Sequence, residues 1–282
     1  MTRKEIYDKA VAAAAGLYDE VERCAVAERL CADLYGFGRF DVVMNGDVEP
    51  DNFHTEQFEM QLRRVAQGEP VQYVVGSTEF YGRTFAVRSG VLIPRPETEE
   101  LVALIVRENW TPTPRIIDLG TGSGAIAVSL ACEIEGARVE ALDLSEVAVE
   151  VASANAQRNG ADVRVQRGDI FLWEPQSECY DVVVSNPPYI PLCERVEMAR
   201  NVTDYEPSEA LFVPDERPLV YYERIADVAL VALRNGGKLY FEIHERLADE
   251  TAQMLREKGL CDVELHKDMN GKPRMMVCAK RA

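Results

Sequence analysis

From residue 115 onward the chain alternates short apolar runs with helix-length segments, and that alternation admits few folds. Arg115-Ile-Ile-Asp118, Val139 to Asp143, Val163 to Val165, Asp181 to Ser185 and Lys238 to Ile243 read as strands. Ala125 to Cys132, Glu146 to Arg158 and Leu219 to Leu233 lie between them with helical spacing. Strands joined through helices pair in parallel, because the crossover returns each strand to the same end of the sheet. A helix from Glu245 to Lys258 and a terminal strand pair, Asp262 to His266 and Arg274 to Ala279, complete the pattern. The expectation is a doubly wound, mostly parallel seven-stranded α/β sheet, with Asn235-Gly-Gly237 as the turn into its fifth strand.

Ligands of such sheets sit beyond the carboxyl ends of the strands, and two of those ends are unusual. The first strand runs into Gly120-Thr121-Gly122-Ser123-Gly124, directly before a helix. Glycines there allow tight backbone angles and close approach of a ligand. Asp143 closes the next strand, where a carboxylate accepts hydrogen bonds from a ribose diol. Together they point to a nucleoside-bearing cofactor. They do not say which one, since Gly120-x-Gly122-x-x-Ala125 also satisfies a relaxed dinucleotide pattern. A tight turn holding no ligand is the plainer alternative.

The fourth strand, Val182-Val-Val184, stops at Asn186-Pro187-Pro188-Tyr189. Two prolines cannot donate to a sheet ladder, and they stiffen the turn. Hydride transfer has no use for such a turn, whereas methyl transfer to a planar amide or amino nitrogen does. The lone pair of that nitrogen is delocalised, so it is a weak nucleophile. The Asn186 side-chain oxygen and the Pro187 carbonyl can accept its two N–H groups and aim the lone pair at a methyl carbon. Tyr189 offers a ring face for a flat substrate group. The contribution is positioning and electrostatics.

The preceding residues divide differently. Residues 1 to about 66 read helical, with a Thr2-x-x-Glu5 capping box, an apolar stripe Ile6, Ala10, Ala13, Ala14, Leu17, a second helix from Val26 to Leu34 and a third from Phe53 to Val65. Pro70 to Val75, Phe80-Tyr-Gly82, Phe85 to Val87 and Val91 to Ile93 are short β-type runs broken by glycines. The expected organisation is a helical domain over 1–68, a β-hairpin linker over 69–97 and the α/β domain over 98–282.

The net charge of −17 disfavours a duplex nucleic-acid binder, which draws affinity from Lys and Arg on phosphates. Seven cysteines without a Cys-x-x-Cys pair fit reduced thiols in a cytoplasmic protein. His54, His244 and His266 form no ligand motif, so no metal is expected. No apolar run approaches the roughly 20 residues a membrane span needs, and no secretory leader is expected at the N-terminus.

Gly120 to Gly124, Asp143 and Asn186-Pro-Pro-Tyr189 resemble the class I S-adenosylmethionine-dependent methyltransferases. Pro70-x-Gln72-Tyr-x-x-Gly76, Phe80-Tyr-Gly82, Val91-Leu-Ile-Pro-Arg-Pro-Glu-Thr98 and Tyr205-Glu-Pro-x-x-Ala-Leu211 narrow the resemblance to the HemK/PrmC family. Those are the glutamine methyltransferases of bacterial class I peptide chain release factors. The resemblance implies S-adenosyl-L-methionine as cofactor, its methionine part over Gly120 to Gly124 and its ribose on Asp143. It places Asp169, Ile170 and Phe171 about the adenine, and Asn186 beside the cofactor. Asn186, Pro187, Pro188 and Tyr189 would hold the glutamine of a Gly-Gly-Gln loop. The helical N-terminal part would dock the release factor, and Pro94 to Thr98 would line the same pocket. Two departures bear on docking or loop shape. His244 stands where the family usually has glycine, and Phe212 to Pro218 lacks the glycines common there.

Other readings differ in what they require. An adenine-amino DNA methyltransferase would need a basic cleft and a target-recognition domain. A ribosomal-protein glutamine methyltransferase differs only in its substrate. An inactive cofactor-binding module would not require an intact Asn186, and a nicotinamide oxidoreductase leaves Asn186 to Tyr189 unexplained.

Overall fold

The structure, a computed structural model, describes residues 1–44, 52–108 and 111–281. It separates into two units, Met1–Ser77 with Ala199–Tyr205, and Thr78–Met198 with Glu206–Ala282.

The first unit is helical. Helix α1 (Arg3–Ala13) opens with the expected capping box: Thr2 Oγ1 accepts from the Glu5 N–H at 3.1 Å, and Glu5 Oε2 from the Thr2 N–H at 2.7 Å. It stops at Ala13, so Leu17 falls outside the apolar stripe and is 47% exposed. Helix α2 (Glu20–Tyr35) is capped by Asp19 and ends at Gly36 in the left-handed region. Helices α3 (Arg39–Val43) and α4 (Asn52–Ala66) follow. Ile6, Leu30, Phe58 and Val65 are fully buried at the centre of this unit.

The run Val71–Val75, read as β-type from its valines, is a short helix, α5. Pro70 precedes it without needing a donor, and Gly76 ends it at φ 80°. Arg64, paired with Glu69, donates to the carbonyls of Tyr73 and Val74 at 3.0 and 3.1 Å, so the last turn is satisfied without a sheet partner. The hairpin that follows is confined to β1 (Ser77–Phe80) and β2 (Arg83–Ala86), and Val91 to Ile93 form no strand.

The second unit is built on the expected sheet. In chain order its elements are α6 (Pro96–Glu108), β3 (Arg115–Leu119), α7 (Ala125–Glu133), β4 (Arg138–Asp143), α8 (Glu146–Arg158), β5 (Val163–Arg167), β6 (Tyr180–Ser185) and β7 (Ile190–Pro191). The turn of helix α9 (Arg200–Thr203) belongs to the first unit. Then come β8 (Phe212–Val213), α10 (Val220–Ala232), β9 (Leu233–Glu242), α11 (Ala248–Glu257), β10 (Cys261–Lys267) and β11 (Pro273–Ala279). The seven strands lie in the order β10-β11-β9-β6-β3-β4-β5. From β9 to β5 every pairing is parallel, and β11 and β10 are antiparallel. The Asn235-Gly-Gly237 segment lies inside β9, where the register against β6 slips between Tyr180 and Val182. A bulge, not a separate turn, absorbs the glycines.

Alternate residues of each strand feed opposite faces. Ile117, Val183, Leu239 and Phe241 pack with Tyr222, Ile225 and Ala229 of α10 and Leu255 of α11. Ile116, Val182, Val184 and Tyr240 pack with Leu101 and Ile105 of α6 and Ile126 and Leu130 of α7. With both faces covered, the strands read as unbroken apolar runs. The chain winds from β3 through β4 to β5, then returns to add β6 on the other side of β3. The strand order therefore reverses between β3 and β6, and their carboxyl ends diverge to open a crevice there.

Candidate active site

A cavity of about 380 Å³ opens at this reversal. Its walls bring together Gly120, Thr121, Gly122, Ser123, Asp143, Asp169, Ile170, Phe171, Asn186, Pro187 and Pro188. Gly124 and Tyr189 do not line it.

The glycine turn is held from β4. The Gly120 and Thr121 N–H groups both donate to the Leu142 carbonyl, at 2.8 and 3.1 Å. The Asp143 carboxylate accepts from Gly122 N–H through Oδ2 at 2.8 Å and from Ser145 N–H through Oδ1 at 2.9 Å. With the Leu144 N–H also close, backbone donors leave part of the acceptor capacity of the carboxylate free, so it can still take a hydroxyl donor from the cavity. Burial pushes the Asp143 carboxyl up from its ordinary value, and the backbone N–H groups pull it down. Gly120 and Gly122 have positive φ, and a Cβ on either would stand in open space. Gly124, also at positive φ, has a different reason to be glycine: a Cβ there would lie 3.1 Å from Cα and Cβ of Ala152. Beneath the turn, Asp118 is wholly buried and accepts from Thr121 Oγ1 at 2.6 Å. Burial raises its carboxyl to about 7.

The opposite wall follows β5. Asp169 Oδ1 accepts from the Phe171 N–H at 2.8 Å, forming a tight Asx turn. Arg224 donates to the carbonyls of Ile170 and Trp173 at 2.8 and 2.7 Å. The Phe171 ring meets Tyr221 edge-on at 5.2 Å, and both residues line the cavity. A flat heterocycle fits between such apolar walls.

The third wall is the proline turn. Ser185 Oγ donates to the Leu119 carbonyl at 2.5 Å, tying the end of β6 to the end of β3. Asn186 Nδ2 donates to Thr98 Oγ1 at 3.3 Å, and Thr98 donates to Glu242 Oε2 at 2.6 Å. The Tyr189 hydroxyl donates to Glu242 Oε1 at 3.0 Å, so its polar end is spent inside the protein. Burial raises the carboxyl of Glu242, against its two hydrogen bonds and the nearby Arg274; burial and Glu242 together raise the Tyr189 phenol. The segment before α6 is pinned by the buried Glu206, which accepts from Arg95 at 2.6 Å and from the Ile93 N–H at 3.1 Å. Pro94, Arg95 and Thr98 thus line the cavity.

Glu242 and Glu206 were not singled out by sequence reasoning as site residues. Glu242 carried a signal: a carboxylate closing the apolar run Leu239-Tyr-Phe241 has to be paired where it lies. Glu206 sits in an irregular segment with no such frame. His244, noted as a departure, presents its ring edge-on to Tyr189 at 6.0 Å. Its Nδ1 accepts from the Arg246 N–H at 3.2 Å, which leaves Nε2 to donate to Glu194 at 3.1 Å.

Residues 98–202 match the family model described as methyltransferase small domain, and residues 9–76 match that described as PrmC N-terminal domain. The crystal structure of a methyltransferase from Pyrococcus furiosus superposes with a TM-score of 0.53 at 18% identity, over 72% of this chain and 91% of that one. Fold and domain match define a class I S-adenosylmethionine-dependent methyltransferase. Two curated relatives carry the name release factor glutamine methyltransferase. One, from Bacteroides thetaiotaomicron, is 43% identical over 92% of this chain and 94% of its own length. Another, from Flavobacterium psychrophilum, is 38% identical over 94% of this chain and 95% of its own. The chain belongs to the release factor glutamine methyltransferase family. Among the described residues no helix is long and apolar enough to cross a membrane, and no group of three or more His, Cys, Asp or Glu is placed to hold a metal ion.

Proposed function

We propose that the protein methylates the side-chain amide nitrogen of the glutamine in the Gly-Gly-Gln loop of bacterial class I release factors, with S-adenosylmethionine as donor. The observation that carries this reading is the meeting of the glycine turn, Asp143 and the Asn186-Pro187 turn at one cavity. The names of the relatives supply the substrate. Gly120 to Ser123 would receive the methionine part of the cofactor, Asp143 its ribose, and Asp169 to Phe171 its adenine. The fit rests on the open space over Gly120 and Gly122 and on the spare acceptor capacity of Asp143. Bound there, S-adenosylmethionine supplies an electrophilic methyl group on a sulfonium.

The residues of the chain act on the other reactant. The Asn186 carboxamide oxygen and the Pro187 carbonyl accept from the two N–H groups of the target amide. As the new N–C bond forms and the sulfonium S–C bond breaks, positive charge develops on that nitrogen and both hydrogen bonds strengthen; release of one of its two protons to solvent restores the neutral, methylated amide. The rigid Pro187-Pro188 backbone keeps the acceptors in place without reorganisation. Residues 1–68 would dock the protein substrate, 69–97 would link, and 98–282 would carry the chemistry.

Transfer of a radiolabelled methyl group tests the reading. Purified protein is offered a release factor, the same factor with its loop Gln→Ala, ribosomal proteins and duplex DNA in parallel. Label on the release factor that vanishes in the loop variant is the expected result. Label on ribosomal protein or DNA alone overturns the substrate assignment.

A further inference from the structure

Asn186 can serve as an acceptor only if its carboxamide faces the cavity oxygen-first. A carboxamide has two nearly isosteric ends, and the wrong one would present N–H to a target that itself brings N–H. Something must choose the end. Among the described residues the group hydrogen-bonded to that carboxamide is the hydroxyl of Thr98, 3.3 Å from Asn186 Nδ2. A hydroxyl has a single hydrogen. At Thr98 that hydrogen is engaged 2.6 Å away by Glu242 Oε2, which as a carboxylate only accepts. The Thr98 oxygen is left with lone pairs alone, so it can accept from Asn186 Nδ2 and cannot donate to Oδ1. The amide end of Asn186 is thereby drawn to Thr98, and the oxygen is turned the other way.

The same carboxylate holds the far end of the turn. Glu242 Oε1 accepts from Tyr189, three residues beyond Asn186, at 3.0 Å. Glu242 is 2% exposed and closes β9, the neighbour of β6 in the sheet, so its carboxylate is fixed by strand geometry. Burial raises its carboxyl, and the hydrogen bonds from Thr98 and Tyr189 together with the nearby Arg274 oppose that rise and favour the charged form. One buried carboxylate thus secures both ends of the Asn186-Pro-Pro-Tyr189 turn, once directly and once through Thr98.

We infer that Glu242 and Thr98 are positioning residues for methyl transfer, a polarity relay that fixes the Asn186 carboxamide with its oxygen toward the target nitrogen. The inference rests on the reading of Asn186 as the acceptor for the target amide. Thr98→Val keeps the shape of the side chain and removes the oxygen. Thr98→Ser keeps the oxygen. Glu242→Gln leaves an oxygen for only one of the two hydroxyls and meets the other with an amide.

The test has two arms. In steady-state kinetics on a release factor, Thr98→Val lowers kcat on the order of 100-fold, the scale of a misplaced reacting group. KM for the release factor and the calorimetric Kd for S-adenosylmethionine stay near wild type. Thr98→Ser restores most of kcat, and Glu242→Gln falls between. In the second arm the protein is labelled with 15N-asparagine, and the side-chain N–H pair of Asn186 is assigned by its loss in Asn186→Ala. That pair shifts in Thr98→Val and is preserved in Thr98→Ser. Wild-type kcat in Thr98→Val, or equal loss in Val and Ser variants, overturns the relay. If the wild-type protein does not methylate the release factor, the functional reading fails and the resonance arm decides the relay alone. An Asn186 pair unmoved by Thr98→Val then overturns it.

Discussion

Asp143 and Gly122 are joined across two strand ends: the carboxylate that closes β4 accepts from the backbone N–H of the turn that follows β3, at 2.8 Å. One side chain therefore shapes the glycine turn and also faces the cavity. Asp143→Ala removes both, and its effect on cofactor binding should exceed that of a simple lost contact. We expect the Kd for S-adenosylmethionine to rise at least 10-fold, the scale of one charge-assisted hydrogen bond of about 1.5–3 kcal/mol, with a fall in Tm of the free protein. Calorimetry and thermal unfolding on the same samples check this. An unchanged Kd would remove the ribose assignment.

The glycines of the turn should separate by consequence. Gly124 has φ 81°, and a Cβ there meets Ala152 at 3.1 Å, whereas the Cβ position of Gly120 is open. Gly124→Ala incurs the left-handed penalty of about 1–2 kcal/mol per residue and overpacking of about 1–3 kcal/mol. Gly120→Ala incurs only the first, but its methyl enters ligand space. Denaturant unfolding should rank Gly124→Ala as the less stable variant. Cofactor titration should rank Gly120→Ala as the weaker binder relative to its own stability. Equal stability losses would contradict the packing explanation.

Asn186→Ala should abolish methyl transfer while sparing the fold. Asn186 is only partly buried, and its hydrogen bond to Thr98 is a long contact of 3.3 Å. Truncation therefore leaves Tm close to wild type, while kcat falls by at least 100-fold, as for removal of one oriented hydrogen-bond group in a transition state. Turnover retained in this variant would end the orienting role.

How much of this was legible beforehand depended on whether the signal was local. The β3-turn-α7 unit could be read because strand, glycines and helix follow one another within residues 115–133. The Asn186-Pro-Pro-Tyr189 turn could be read because proline fixes its own backbone. Val71–Val75 was misread because its valines favour strand, and what overrides them is Arg64 reaching back to the carbonyls of Tyr73 and Val74. Glu242, Thr98 and Asn186 are separated by 144 and 88 residues, and no pattern in sequence announces that they form one chain of hydrogen bonds. Nothing in the sequence signals that the Tyr189 hydroxyl is committed to Glu242, 53 residues further on.

Asp118 makes stability depend on pH in a direction that can be worked out. Its carboxyl has an ordinary value of 3.8 in a free chain and about 7 in the fold, because it is fully buried; Thr121 opposes the rise and Asp143 adds to it. Between those values the folded protein holds a proton that the unfolded chain has released. The stability linked to that proton is complete at low pH and is lost as pH rises through about 7. Asp118→Asn cannot ionise, keeps an oxygen for Thr121, and escapes the loss. The loss begins above the free-chain value of 3.8, so at pH 5 the variant already leads the wild type from this source by on the order of 1 kcal/mol. Between pH 5 and pH 8 that lead should widen by about a further 2 kcal/mol, a few degrees in Tm. Scanning calorimetry of both proteins from pH 5 to pH 8 measures the difference directly. A gap between the two melting temperatures that does not widen with pH would mean that Asp118 is already ionised in the fold at pH 5.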